Sequence, residues 1–216
     1  MAASLGFIEE AHRILPPKEV PLDGDVPISV LYSDASFEPG RPVKRGWVLV
    51  QQGHRTRAGA GVAPAELQSQ FVSRKTHIFI GELLAALAAL WQCKELVAGA
   101  CLIHFVDNQG GLASLVNGFC ADEDISAVAC LYQFLVAALG ISVWFEYIES
   151  PANLADGPSR DGMDWEHSRE ATVLGVKMEE LILPGLRSLV GAPADFLSKF
   201  SSILDDFRLL QVDVAL

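Results

Sequence analysis

Residues Ile28 to Phe37 read ISVLYSDASF. An apolar run containing Val30, Leu31 and Tyr32 stops abruptly on a carboxylate, Asp34, with Ser33 before it and Ser36 after. That length and composition, closed by Asp-Ala-Ser, predict a buried strand that delivers an acid to its end. Three more carboxylates stand at comparable points: Glu82 in GELLAALAAL, Asp107 in LIHFVDNQGG and Asp156 in NLADGPSR. Glu82 falls early in a helical run, Asp107 closes a second apolar strand, and Asp156 opens a polar turn after a third. Four acids delivered by separate elements toward one point suggest a metal site.

Outward from this stretch, the chain divides into three parts. Residues 1–27 form a lead-in, with a short helix expected over Leu5–Leu15 and an extended proline-rich linker after it. Residues 28–160 form the domain. Its first strand is followed by a Pro39-Gly40 turn, a second strand over Gly46–Gln52, a Gly53 turn and a third strand between Thr56 and Val62. Three strands on short turns predict an antiparallel meander. Ala65–Thr76 is polar and carries no clear period. A helix rich in Ala and Leu follows over Ile80–Leu96, then a strand over Leu102–Val106. Helices are expected over Asn108–Asn117, with Asn108 as N-cap, and over Asp122–Leu139, with acids in the first turn. A fifth strand over Ile141–Ile148 leads to a polar turn at Pro151–Arg160, with Pro158 placed to open a short helix. Strands separated by helices run parallel through right-handed crossovers. The expected fold is therefore α/β: a five-stranded mixed sheet, antiparallel meander then parallel strands, flanked by helices. Residues 161–216 form a helical extension. In it Phe196, Phe200, Ile203, Leu204 and Phe207 make one apolar face over Ala194–Leu210, suited to docking on the domain or on a partner.

Composition narrows the class. Of the 216 residues, 50% are hydrophobic, enough for a sizeable core. The formal net charge of −11 argues against avid non-specific binding to nucleic acid. The charge is unevenly spread, however. Between Arg41 and Lys75 lie Arg41, Lys44, Arg45, Arg55, Arg57, Arg74 and Lys75 against one acid, Glu66. This strip reads either as a solvated hairpin surface or as a phosphate-facing one. The cysteines Cys93, Cys101, Cys120 and Cys130 form no C-x-x-C pair, which fits free thiols in a reducing compartment, cytoplasm or nucleus. The N-terminal stretch has acids where an export signal has its apolar core. Scattered histidines without H-x-x-x-H spacing argue against zinc. Ile125–Phe145 has no charge and the length of a membrane span, but Gly140 interrupts it and alternation follows. It reads as a buried helix, a glycine stop and a strand, and no membrane association is expected.

Two magnesium ions held by hard carboxylate oxygens would activate a water and stabilise the leaving oxygen of a phosphodiester. Manganese is a possible substitute. Asp34 would bridge the ions, Glu82 and Asp107 would complete one shell, and Asp156 would hold the second ion. Each acid also has an ordinary account: Asp34 as a turn residue, Glu82 as a helix acid, Asp107 beside a helix cap, Asp156 in turn chemistry. Those separate accounts leave unexplained why the acids fall at corresponding element ends.

The set SDAS, GELLAALAAL, FVDNQGG and NLADGPSR resembles the four motif blocks of the ribonuclease H family. It is most similar to the ribonuclease H-like domains attached to reverse transcriptases of retrotransposons, of the gypsy and tyrosine-recombinase types. The resemblance covers about residues 28–160 and places Asp34, Glu82, Asp107 and Asp156 at the family's acidic positions. It implies a magnesium-dependent endonuclease that cuts the RNA strand of RNA–DNA hybrids. Ser36, Asn108 and Gln109, beside the acids, would contact 2′-hydroxyls, and Arg55 and Arg57 would face phosphates. A reverse transcriptase domain is an implied partner. The chain departs from the family pattern where many members carry a histidine shortly before the last Asp; between Ile148 and Asp156 there is none. No polymerase motif is present in this sequence. Two other classes stay open: an integrase-like nuclease, whose last acid usually sits on a helix, and a non-catalytic module that binds nucleic acid or partners.

Overall fold

The structure is a computed structural model and describes residues 26–63, 71, 78–165 and 171–173. The helix expected over Leu5–Leu15, most of the polar Ala65–Thr76 stretch and the amphipathic segment Ala194–Leu210 lie outside the described residues.

The meander forms as its turn signals predict. Strand β1 (Ile28–Ser36) pairs antiparallel with β2 (Lys44–Gln51), which pairs antiparallel with β3 (Arg57–Val62). Helix α1 (Ile78–Val97) carries the chain to β4 (Cys101–Val106), parallel to β1. Helices α2 (Gln109–Asn117) and α3 (Glu123–Ala138) then lead to β5 (Ser142–Tyr147), parallel to β4. A 3-10 turn at Ser150–Ala152 precedes helix α4 (Asp156–Asp161), and a second one follows at Gly162–Asp164. The sheet order is β5-β4-β1-β2-β3-β6. Order and orientations of the first five strands are those of the ribonuclease H-like fold, with β1 at the centre.

The five-stranded mixed sheet forms as expected, and a sixth, two-residue strand, β6 (Thr172–Val173), adds to its edge beside β3. It runs parallel to β3 beside Arg57 and Ala58, and the Thr172 amide donates to the Thr56 carbonyl at 2.8 Å. A strand this short leaves no alternation in the sequence to detect.

The core lies between the sheet and its helices. Leu31, Trp47, Leu49 and Leu102 pack against Leu83, Leu87 and Leu90 of α1 and, behind them, Val128 and Leu135 of α3. Every residue of α1 from Ile80 to Leu90 is buried, because the helix packs against both the sheet and α3. Hence GELLAALAAL shows almost no polar face. On the opposite side of the sheet Val48, Ala58, Trp165 and Ala171 form a smaller cluster, with Tyr32 and Val50 against it.

The charge-free Ile125–Phe145 stretch divides as its glycine implies. Helix α3 ends at Ala138, Gly140 takes φ +62°, a conformation disfavoured for other residues, and β5 begins at Ser142. No described helix is long and apolar enough to cross a membrane. The cysteines are free thiols, with Cys93 buried and the other three partly so.

Candidate active site

The site begins with a mismatch in strand length. Pairing of β1 with β4 stops at Tyr32 and Phe105, whereas pairing with β2 continues to Ser36 and Lys44. The end of β1 therefore projects beyond its parallel neighbour. The amide of Ala35, unpaired on that side, needs an acceptor. Glu82 supplies it: its Oε2 accepts from the Ala35 amide at 3.1 Å. That bond brings a helix carboxylate beside Asp34. Asp107 follows the last residue of β4 and reaches the same place. Ligand oxygens of Asp34, Glu82 and Asp107 all lie within 4.8 Å of one another. Asp34 and Glu82 are buried and Asp107 is partly so.

One oxygen of each acid is held by the fold. Asp34 Oδ2 accepts a short hydrogen bond from the Ser159 hydroxyl. Asp107 Oδ2 accepts from Ser150 Oγ at 2.6 Å. A carboxylate has two oxygens, so each acid keeps one to offer a ligand. The electrostatics register the crowding. Burial pushes the Asp34 carboxyl up to about 7, with Asp107 and Asp156 adding to the rise and the Ser159 hydroxyl opposing it. Burial raises Glu82 well above its ordinary range, and the charges of Asp34 and Asp107 push the same way. Three converging carboxylates, two of them disfavouring ionisation, are a donor set suited to a hard divalent cation.

Asp156 stands apart from the three. It lies in the first turn of α4, and its Oδ1 pairs with Arg160 Nε at 2.7 Å. It is near enough for its charge to raise Asp34. The short helix begins at Asp156 rather than at Pro158, which takes this acid out of the expected polar turn. NLADGPSR is rich in turn formers, but Pro158 at the third helical position needs no amide partner there. The sequence argument that a turn-borne last acid separates this chain from integrase-like nucleases therefore lapses.

Helix α4 is positioned by contacts that the motif hides. Asn153, buried, donates from Nδ2 to the Ser33 carbonyl at 3.0 Å and accepts the Ala155 amide on Oδ1 at 3.1 Å. Ser36 Oγ donates to the Ser159 carbonyl at 2.8 Å. Gly46, the partner of Asp34 in β2, lets α4 approach: a Cβ there would stand 2.3 Å from the Ser159 backbone nitrogen. Behind Asp34, the buried His104 ring lies 2.9 Å by Nε2 from Ser33 Oγ and 2.7 Å by Nδ1 from the Tyr132 hydroxyl. Burial pushes His104 down to about 3, so the ring is neutral. Ser150 and His104 had no singular signal in the sequence, and Asn153 and Ser159 lie inside the NLADGPSR block without a role assigned to them. Their roles come from contacts across 28 to 125 residues.

The remaining expected site residues are dispersed. Asn108 caps α2 as anticipated, its Oδ1 accepting from the Gly111 amide at 2.8 Å. Gln109 is exposed at the first position of α2, two residues from Asp107. Arg57 stands opposite Leu49, which pairs with Leu31, so it lies toward the other end of the sheet from Asp34. Its Nη1 donates to Gln51 Oε1 at 2.8 Å. Arg55 precedes it in the turn between β2 and β3.

No protein-family model matches the sequence, and no curated protein matches it. Solved structures do. The N-terminal RNase H domain of Rv2228c from Mycobacterium tuberculosis is 17% identical, with TM-score 0.49, over 64% of this chain and 94% of that one. RNase H1 from the halophilic archaeon Halobacterium salinarum NRC-1 is 19% identical, with TM-score 0.47, over 63% of this chain and 98% of that one. The protease-reverse transcriptase of prototype foamy virus is 17% identical, with TM-score 0.39, over 66% of this chain and 22% of that one. The fold assignment rests on the strand order and orientations described above.

Proposed function

We propose that the protein is a divalent-metal-dependent endonuclease that hydrolyses the RNA strand of RNA–DNA hybrids. The observation that carries this reading is the convergence of Asp34, Glu82 and Asp107 within 4.8 Å at the end of the central strand. Asp34, Glu82 and Asp107 would hold one magnesium ion, and Asp34 with Asp156 the second. Manganese would substitute. Magnesium there supplies Lewis acidity at the phosphate and lowers the pKa of a water.

The chain's own groups do the rest. Ser159 and Ser150 orient the carboxylates of Asp34 and Asp107 through the hydrogen bonds given above. Arg160 holds Asp156. Gln109 reaches out beside Asp107 and is suited to a 2′-hydroxyl of the RNA strand. Asn108 spends its carbonyl oxygen on the cap and keeps its amide nitrogen to donate to the same strand. Ser36 is engaged with Ser159, so its main part is to seat α4. Arg55 and Arg57 contribute charge to a phosphate-facing strip remote from the acids. The motif NLADGPSR supports derivation from a retroelement reverse transcriptase, with such a domain as partner.

The placement of Asp156 on a helix favours a second reading, an integrase-like nuclease acting on DNA. One experiment separates the two. The protein is incubated with end-labelled RNA–DNA hybrid, duplex DNA and duplex RNA, with magnesium or with chelator. The expected result is internal cleavage of the RNA strand of the hybrid alone, leaving 3′-hydroxyl and 5′-phosphate ends. Cleavage of duplex DNA at the same rate replaces the reading with the second. No cleavage of any substrate by folded protein makes the chain a binding module.

A further inference from the structure

Between two core residues, Leu102 and Val106, strand β4 places a histidine on the same side of the sheet. His104 is fully buried. A leucine there would fill the core, whereas an imidazole is costly unless both ring nitrogens are bonded. Both are. Nε2 lies 2.9 Å from Ser33 Oγ on β1, and Nδ1 lies 2.7 Å from the Tyr132 hydroxyl on α3. The rings of Tyr132 and Phe145 pack around it, with centroids 5.7 and 6.0 Å away. Burial keeps the ring neutral, so it donates through one nitrogen and accepts through the other. The bonds do not stop at Ser33. Its carbonyl accepts from Asn153 Nδ2 at 3.0 Å. Asn153 in turn holds the start of α4: its Oδ1 accepts the Ala155 amide at 3.1 Å and its carbonyl accepts the Asp156 amide at 3.0 Å. Tyr132, His104, Ser33, Asn153 and Ala155 are each at most 4% exposed. A continuous buried chain of hydrogen bonds, carried through the Ser33 backbone, therefore runs from α3 across β4 and β1 to the first turn of α4. It passes beside Asp34 and ends on Asp156.

We propose that His104 is a positioning residue for the acidic site: through Ser33 and Asn153 it sets where Asp156 stands relative to Asp34. This rests on the metal-dependent reading above, in which those two acids share the second ion. The first ion's ligands have anchors of their own. Glu82 is fixed by the Ala35 amide and Asp107 by the Ser150 hydroxyl. Loss of His104 therefore falls mainly on the second ion. Partners that orient ligands without touching a metal carry a measurable share of its affinity. A histidine that only fills the core behaves differently: its loss lowers stability and leaves ion binding by the folded protein unchanged.

Calorimetric titration with manganese separates the two. It is run on the full-length parent, His104→Leu and His104→Gln, each at a temperature where the protein is folded. Leucine fills the core and breaks the chain, whereas the glutamine amide again offers a donor and an acceptor. The parent is expected to bind two ions. His104→Leu should keep the first ion's affinity within about threefold and bind the second about tenfold more weakly or worse, with His104→Gln recovering most of the loss. Hybrid cleavage by His104→Leu should lose about tenfold or more in kcat, with KM within about threefold of the parent's. Second-ion affinity in folded His104→Leu equal to the parent's overturns the proposal. If His104→Leu does not fold, Tyr132→Phe decides, since it removes one hydroxyl at the far end of the chain. A second ion weakened by about threefold or more supports the proposal, and an unchanged one overturns it. A parent that binds two ions but leaves the hybrid uncut ends the nuclease reading, while the ion affinities still decide the role of His104. A parent that binds fewer than two ions overturns the proposal together with the second-ion assignment.

Discussion

At the scale of the residue, Asp34 is the position on which most forces converge. Its carboxyl is pushed up to about 7 from an ordinary 3.8, chiefly by burial. A raised acid binds protons more readily in the folded state. The metal-free protein therefore loses stability as pH climbs from about 4 to 7, by as much as roughly 4 kcal/mol from this group. Glu82 acts in the same direction. Asp34→Asn removes the charge, so in chelator its melting temperature should equal or exceed the parent's at pH 8, with the difference shrinking toward pH 4. Thermal melts at the two pH values check this; a variant less stable at pH 8 than at pH 4, relative to parent, contradicts the stated burial cost. On the proposed metal site, magnesium would bind the folded state alone and should raise the parent's melting temperature while leaving Asp34→Asn unmoved. Ser159 supplies the opposing influence, a hydroxyl bonded to Asp34. Ser159→Ala should shift the acid limb of the cleavage profile upward by about one pH unit or less. A downward shift would mean that the hydroxyl does not stabilise the ionised acid. The convergence of Asp34, Glu82 and Asp107 was legible in the sequence because each closes or opens an apolar element; Asp156 was marked by the polar stretch that follows the fifth strand. The roles of Ser159, Ser150 and His104 were not legible, because a serine or histidine gains its role from a partner that only the fold supplies.

At the scale of the element, helix α4 depends on one missing side chain. Gly46 lies opposite Asp34 in β2, and a Cβ there would meet the Ser159 amide nitrogen at 2.3 Å and Pro158 atoms at 2.7 Å. These are backbone and ring atoms that cannot swing aside, so the helix itself must shift. Gly46→Ala should cost about 1–3 kcal/mol by overpacking, and should reduce cleavage beyond what lost folded protein explains. Urea melts and specific activity of the folded fraction measure the two effects. Activity that simply follows the folded fraction would show that the seating of α4 is not needed. The sequence disclosed β1 to β5 and the three long helices through their periods and glycine punctuation. It did not disclose α4 as a helix beginning at Asp156. Six residues containing Asp, Gly, Pro and Ser match turn chemistry as well as a short helix, and tertiary contacts of Asn153 and Ser36 decide. Nor did it disclose β6, whose pairing with β3 is settled by packing at Ala58 and Ala171.

At the scale of the whole molecule, the proposed activity would require an acidic chain of net charge −11 to meet a polyanion. That task would fall to local positive charge and to the divalent cations the acids would hold. Reversal of Arg55 and Arg57 to Glu should weaken hybrid binding and make the slope of affinity against salt shallower by about 1–2. Filter binding at several salt concentrations tests this. Unchanged affinity and slope would make the strip a solvated surface, in keeping with the position of Arg57 toward the other end of the sheet. The most direct measurement of the central claim is single-turnover cleavage of a hybrid labelled on its RNA strand, comparing the parent with Asp34→Asn at equal folded fraction. Magnesium-dependent internal cuts are expected from the parent, abolished by chelator, with a loss of about 100-fold or more in the variant. Cleavage by Asp34→Asn at the parent's rate, or by the parent in chelator, would contradict the claim.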